Sequence, residues 1–109
     1  MPGEIRQWTP DELAKFEPFP LPASGRVTLA RITANQYLID CADVSGADRK
    51  SLEDFWDRMM GGFYPFRYES KTRHFPHCRF VQDTAHFVTH APDKCSVRFA
   101  IEVLPPYEQ

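Results

Sequence analysis

The chain has 109 residues, which suffices for one packed domain and is too short for two. Its formal charge is −2, from 13 basic and 15 acidic residues that are scattered along the chain, so neither nucleic acid nor an anionic membrane is indicated as the main partner. With 42% hydrophobic residues the chain can form a packed interior, yet no apolar run approaches the roughly 20 residues that span a bilayer. The first residues do not follow the pattern of a signal peptide, so we expect a protein that is not secreted by that route.

Residues 1–26 contain five of the ten prolines and show no sustained hydrophobic period. Thr9 as an N-cap and Pro10 at the first helical position predict a short helical turn that ends by about Phe16. The segment after it, residues 16–22, is predicted to be an extended arm whose apolar side chains lie either on their own domain or on a neighbouring subunit. We therefore divide the sequence into an N-terminal arm, 1–26, and a domain, 27–109.

Two strands open the domain. Val27 and Leu29 alternate with polar residues, a polar turn follows at residues 34–36, and residues 37–41 form a second β-branched and aromatic run. This spacing predicts a pair of antiparallel strands joined by a short turn.

The segment from Ser45 to Tyr68 predicts a helix, a glycine stop and an aromatic strand. Ser45 or Asp48 can cap the helix, which we place at about residues 48–60, and Gly61 and Gly62 can supply the positive φ that ends it. Residues 63–68 are too aromatic for a loop, and their proline limits them to an edge or bulged strand. The apolar residues at i, i+3, i+4, i+7 and i+8 predict one buried helical stripe, formed by Leu52, Phe55, Trp56, Met59 and Met60.

The last third of the chain predicts a polar loop at residues 69–76 and then three strands, at 78–82, 85–91 and 95–103, separated by turns. The last strand is the clearest, because every second residue from Cys95 to Val103 is apolar and the residues between them are mostly polar. One of its faces is therefore predicted to be buried.

Six side chains of metal-ligand type lie within 22 positions: His74, His77, Cys78, His86, His90 and Cys95. A zinc site would need four of them to converge, but the sequence has no CxxC pair and no HxxxH on a helix. We therefore expect surface or interface histidines and two core cysteines, with no metal and no cofactor. The three cysteines, which include Cys41, are an odd number at wide spacing, so we predict buried thiols in a reducing compartment.

No catalytic signature emerges. Cys78 beside His77 is only a sequence neighbour, and adjacent residues of a strand face opposite sides. The carboxylates Glu53, Asp54 and Asp57 match a solvated helix face, and the chain has no phosphate-binding glycine loop, GxSxG or HExxH. The sequence predicts a protein that is not an enzyme.

The order of elements resembles the minor tail and distal tail proteins of long-tailed (siphovirus-type) bacteriophages, in particular the short minor tail protein subfamily. The likeness covers residues 27–105, and its specific part is the helix LEDFWDRMMGG, the strand FYPFRY and the terminal run VRFAIEV. The first 26 residues have no counterpart to the glycine-rich opening strand of that family.

The resemblance implies a mainly β, α+β fold, an antiparallel β-sandwich of tail-tube type with one flanking helix. It also implies a non-catalytic structural protein of the virion tail, assembled in the bacterial cytoplasm. Such a protein forms a homo-oligomeric ring, expected to be a hexamer, that joins the tail tube to the tip or baseplate around the DNA channel. Two other interpretations remain open: an adaptor that binds a partner by edge-strand addition, and a histidine-rich domain that binds a metal or ligand.

Overall fold

The computed structural model describes residues 9–104 of the chain. Two helices and six strands are found in that range, which confirms the predicted mainly β, α+β class with a helix on the flank of the sheet. The helices are α1 (Pro10–Ala14) and α2 (Gly46–Arg58), and the strands are β1 (Arg26–Arg31), β2 (Gln36–Val44), β3 (Phe66–Glu69), β4 (His74–Phe80), β5 (His86–Ala91) and β6 (Lys94–Val103).

The six strands form one curled antiparallel sheet, in which five follow the order β1-β2-β6-β4-β3 and β5 pairs with β6 off this path. The sixth strand is its centre: β2 pairs along one edge of β6, while β5 and β4 pair in succession along the other. A sandwich of two separate sheets was expected. Here the layer that packs on the sheet consists instead of α2 and part of the N-terminal arm, because their apolar side chains cover one sheet face.

The buried face of the sheet follows from the period-two alternation of its strands. In β6 the predicted inward residues are buried, with Val97, Phe99 and Ile101 fully inaccessible. Phe19 of the arm enters the same core and is 4% exposed. Backbone hydrogen bonds hold the arm against β3, since the Phe19 N–H donates to the Arg67 carbonyl at 2.8 Å and the Arg67 N–H to the Glu17 carbonyl at 3.1 Å. Residues 16–22 thus pack on their own domain.

The predicted short helix at the start of the chain is α1. The Thr9 hydroxyl accepts from the Glu12 N–H, and the Glu12 carboxylate accepts from the Thr9 N–H, which forms a capping box. Pro10 stands at the first helical position, as expected from its fixed φ.

Helix α2 begins and packs largely as predicted, two residues earlier than the expected start. The Ser45 hydroxyl caps it by accepting from the Asp48 N–H at 3.1 Å. Leu52, Phe55 and Met59 of the predicted stripe are buried. Three aromatic rings, those of Phe19, Phe66 and Phe80, pack against Phe55, so the helix is joined to the sheet by aromatic packing.

Two residues near the end of the predicted stripe differ in exposure. Trp56 is partly buried, and its indole packs on Phe80 and Phe99 at ring-centroid distances of 4.8 and 5.7 Å. Met60 was predicted to be buried, and this was wrong, because its side chain is 63% exposed. The reason is that α2 ends at Arg58, so Met60 no longer lies on the helical stripe.

The helix ends in a Schellman arrangement that is displaced by one residue from the prediction. The Met60 N–H donates to the Asp57 carbonyl at 3.1 Å and the Gly61 N–H to the Trp56 carbonyl at 3.3 Å. Met60 therefore occupies the left-handed C′ position with a φ of +50°, and Gly61 follows at +63°. Gly62 was expected to need positive φ, but it is required for space, because a Cβ there would overlap the carbonyl oxygen of Phe80.

The aromatic strand is shorter than predicted, and the loop after it is also shorter. β3 starts at Phe66, lies at the edge of the sheet and carries a bulge between Phe66 and Tyr68, as expected for an edge or bulged strand. The predicted loop at 69–76 contains only residues 70–73, since Phe75 pairs with Tyr68 and packs on the Tyr37 ring at 4.9 Å. Burial of this ring extends β4 toward the N-terminus.

A polar network joins the arm to the first turn of α2. The Ser24 N–H donates to the Asp48 carboxylate at 3.0 Å, the Ser24 hydroxyl donates to the same oxygen, and the Ser45 N–H donates to the Ser24 hydroxyl at 2.8 Å. These bonds from Ser24, with smaller contributions from Ser45, lower the pKa of Asp48 below its usual value. The carboxylate also lies in the first helical turn, where the helix dipole favours a negative charge.

Replacing Asp48 with asparagine is expected to lower the free energy of unfolding by about 1 kcal/mol at pH 7. Because the folded-state pKa of Asp48 is depressed, its contribution is present above the unfolded-state pKa of about 3.9 and is lost as the pH falls through the folded-state value. Urea unfolding from pH 7 to pH 3 should therefore show the two proteins converge in stability below about pH 4. A constant difference across this range would contradict the assignment.

Candidate functional site

The histidines and cysteines do not form a common centre. His86 and His90 are exposed on β5, and His90 Nε2 lies 3.0 Å from the Ser96 hydroxyl. His77 was expected at the surface or an interface, but it is buried at 5% exposure and its ring contacts that of Phe16 at 5.4 Å. Among residues 9–104, no group of three histidine, cysteine or acidic side chains has the arrangement of a metal site.

The three cysteines are free and buried, as predicted. Burial raises the pKa of Cys41 to about 12, and it also raises that of Cys78, whose thiol contacts the Phe66 carbonyl oxygen at 3.3 Å. A nucleophilic cysteine needs a thiolate, which these environments disfavour.

We expect a thiol reagent at pH 8 to label Cys41, Cys78 and Cys95 far more slowly in the folded protein than in denaturant. The reasons are the burial of all three and the raised pKa of two of them. The measurement is the rate of thiol release with a disulfide reagent, in buffer and in guanidinium chloride. Labelling of any of the three in buffer at the denatured rate would contradict this burial.

The carboxylates of α2 form a solvated face, as the sequence predicts. Glu53 and Arg49 lie 3.5 Å apart, and Asp54 and Lys50 lie 3.6 Å apart, both with i,i+4 spacing. These pairs stabilise the helix modestly. Asp57, on the last turn, is exposed.

One small depression does combine an acid, a base and an arginine. It has a volume of about 260 Å³ between α1 and the β3–β4 hairpin. Glu69 Oε1 accepts from Arg67 Nη1 at 2.8 Å and lies 3.3 Å from His74 Nε2, while Arg67 Nε donates to the Phe16 carbonyl at 2.9 Å. The bond from Arg67 to Phe16 joins the arm to β3, and the contact of Glu69 with His74 joins β3 to β4. The residues that line the depression supply no nucleophile, so its arrangement suits a structural contact.

The face of the sheet opposite the core carries mixed charge. Thr28, Asp40, Arg98 and His86 lie in register on four neighbouring strands, and Arg98 is 3.5 Å from Asp40. Arg98 and His86 are exposed. Balanced charge of this kind does not attract a polyanion.

Two apolar features were not recognised from the sequence. The first, which we name the apolar turn, comprises Met60, Phe63 and Tyr64, whose exposures are 63%, 66% and 46%. The aromatic members were predicted to lie in a strand, so their position in a solvent-facing turn is a correction. A signal was nevertheless present, since large apolar residues directly flank a glycine pair that ends a helix.

The second feature is a groove of about 410 Å³ between the two end strands of the sheet. We name it the β1–β3 groove, because Val27 and Leu29 of β1 line one side and Tyr68 of β3 lines the other. The remaining lining residues are Leu21, Pro22, Ser70, Lys71, Thr72 and Arg73. Arg73 also lies over the Tyr37 ring, with its guanidinium carbon 5.8 Å from the ring centre. The groove therefore has apolar walls and a basic rim, which Lys71 and Arg73 form.

Within residues 9–104, neither helix has the length and apolar character needed to cross a membrane. The described surface carries the apolar turn, the β1–β3 groove and a sheet face of mixed charge. Comparison of the chain with protein-family models, with curated proteins and with solved structures found no match.

Proposed function

We propose that this chain is a structural component of the tail of a phage or prophage-derived particle. In this proposal it forms a homo-oligomeric ring, a hexamer by its resemblance to minor and distal tail proteins, that joins the tail tube to the tip around the DNA channel. The protein acts through its surfaces, without a cofactor and without catalysis.

The observation that carries the proposal is the way the resembling segment folds. Helix α2, the stop at Gly61 and the edge strand β3 pack on one curled sheet, and the sequence between helix and strand leaves large apolar side chains in solvent. Exposed apolar residues close together on a small domain are typical of protein contact sites. The mixed charge of the open sheet face is also compatible with DNA that passes through a channel without being bound.

The first test is assembly. Electron microscopy and light scattering of the purified chain, alone and mixed with the tail tube protein encoded in the same genome, should show rings or a complex with the tube. A chain that forms neither, at any ratio of the two proteins, would overturn the proposal. The genome offers an independent check, since genes for a tape-measure protein and a tip protein are expected beside the gene for this chain.

A second candidate is the adaptor that binds a partner by adding a strand at an edge. It is favoured by one observation: residues 17–19 of the arm already pair with β3 in a parallel bridge between Pro18 and Arg67, so this edge accepts an extended segment. A stable one-to-one complex with a host or phage protein, and no self-association, would favour the adaptor over the ring.

A further inference from the structure

We propose that the apolar turn of one copy docks into the β1–β3 groove of a second copy. This inference rests on the proposed function, since it identifies the contact through which copies of the chain would form a ring. It names the two surfaces that would meet and implies a head-to-tail arrangement of the copies.

The apolar turn is exposed, and hydrogen bonds hold its backbone. Phe63 and Tyr64 contact each other edge to face at a centroid distance of 4.9 Å. The Phe63 N–H donates to the Met60 carbonyl at 3.3 Å and the Tyr64 N–H to the Met59 carbonyl at 3.0 Å, so the backbone of the turn is held by its own hydrogen bonds. An apolar group whose backbone is already held by hydrogen bonds loses less conformational entropy when it is buried in a partner.

The position of Met60 costs stability and provides no burial in the monomer. Its φ of +50° is unfavourable for a residue with a side chain, and glycine is the usual residue at the C′ position of a helix. The side chain is 63% exposed, so packing within the chain does not offset this strain. Strain at an exposed apolar residue is explained if the side chain is buried by a partner.

The groove has the complementary properties. Its walls are the partly buried Val27 and Leu29, and the exposed Leu21 stands at its edge. Its volume of about 410 Å³ can accommodate an aromatic side chain. Because β1 and β3 are the two ends of one curled sheet, the groove is a gap in the fold that an apolar group can fill.

Charge favours a second copy as the occupant. Asp57 lies three residues before Met60 and is exposed, while Lys71 lies at the rim of the groove and is exposed. Neither residue forms an ion pair with another residue in the range 9–104. Docking of the turn would place the acid of one copy near the lysine of the next, which adds specificity.

The two surfaces share no residue, so the contact would be head to tail. Each copy would present its turn to one neighbour and its groove to the other. Such heterologous contacts close into rings when the rotation between copies allows it, whereas a symmetric contact would stop at a dimer. This geometry agrees with the proposed ring.

Two blocked variants test the contact. The double variant Phe63→Ser and Tyr64→Ser removes the aromatic side chains of the apolar turn. The double variant Leu21→Asp and Lys71→Glu makes the β1–β3 groove acidic. All four side chains are exposed, so both monomers should still fold. Val88→Ser is the matched control, because Val88 is an exposed apolar residue, at 37%, outside both surfaces. Thermal unfolding of each variant verifies the fold before assembly is measured.

Analytical ultracentrifugation gives the expected results. The wild type and Val88→Ser should form oligomers larger than a dimer, and each blocked variant should associate more weakly by about 30-fold or more in dissociation constant. An equimolar mixture of the two blocked variants should stop at a heterodimer, since it retains one intact turn and one intact groove. Oligomers of wild-type size from either blocked variant, or a mixture that remains monomeric, would overturn the inference.

Met60→Gly provides a second readout. It should raise the midpoint of thermal unfolding, because glycine relieves the left-handed strain, and yet weaken assembly, because the docking side chain is lost. Loss of stability together with loss of assembly would contradict a role of Met60 in docking. A wild type that stays monomeric alone but binds the tail tube protein would overturn this inference and leave the proposed function standing.

Discussion

Replacing Phe19 with alanine should lower the free energy of unfolding by about 3 to 5 kcal/mol. The ring is 4% exposed and meets the rings of Phe55, Phe66 and Tyr68 at centroid distances of 5.8, 6.2 and 5.7 Å. Its removal would leave a cavity between α2 and the sheet, which surrounding aromatic side chains are too stiff to fill. Phe19 also belongs to the core cluster, so the arm would lose an apolar contact with the sheet.

The matched control is Leu21→Ala, two residues further along the same arm. Leu21 is 39% exposed, so its truncation should cost about 0.5 kcal/mol. Urea unfolding followed by tryptophan fluorescence measures both variants. Equal midpoints for Phe19→Ala and Leu21→Ala would show that the arm is not part of the core.

Replacing Gly62 with alanine should cost about 2 to 3 kcal/mol, because the new Cβ would overlap the carbonyl oxygen of Phe80. Neither the backbone at Phe80 nor the backbone of the turn at Gly62 can move easily to relieve the overlap. Phe80 is paired with Ile101 in the centre of the sheet, and the hydrogen bond from the Tyr64 N–H to the Met59 carbonyl holds the turn. The cost is steric and independent of φ.

Gly61→Ala separates the steric cost from the conformational one. Gly61 has a φ of +63°, and a Cβ there would meet only the ring of Trp56 at 3.7 Å, so the substitution should cost about 1 kcal/mol from its left-handed backbone. Chemical denaturation of the two alanine variants should therefore rank Gly62→Ala as the less stable. The reverse order would contradict the steric overlap with the Phe80 carbonyl oxygen as the reason for a glycine at position 62.

The elements that could be predicted from the sequence are those whose signals are local. The alternation from Cys95 to Val103 is bounded by turn residues, so β6 and its buried face follow from the period of two. Ser45 marks the start of α2 because a hydroxyl at that position satisfies an N–H that the helix leaves unpaired.

The predictions were wrong where contacts with residues distant in the sequence determine the structure. Met60 fits the helical stripe by spacing, but α2 ends at Arg58, and the chain then passes close to the backbone of the distant residue Phe80 at Gly62. Phe75 lies in a polar stretch and becomes part of a strand because Tyr37, remote in sequence, provides a ring for it to pack on. Hydrophobic spacing contains no information about either contact.

The candidate surfaces were predictable only in part. The apolar residues around the glycine pair are visible in the sequence, although their exposure depends on where α2 ends. The β1–β3 groove is not visible, since Leu29 and Tyr68 are far apart in the chain and are brought to one gap by the curl of the sheet. Sequence spacing cannot report the curvature of a sheet.

The central place of β6 has a consequence for how the protein is synthesised. The hairpin of β1 and β2, the hairpin of β3 and β4, and the strand β5 are joined in the sheet only through β6, which the ribosome makes after all of them. A nascent chain that ends before Lys94 has unpaired edges and an exposed aromatic core. The complete sheet can therefore form only after β6 has been synthesised through Val103, and until then the aromatic side chains of the core lack their central strand.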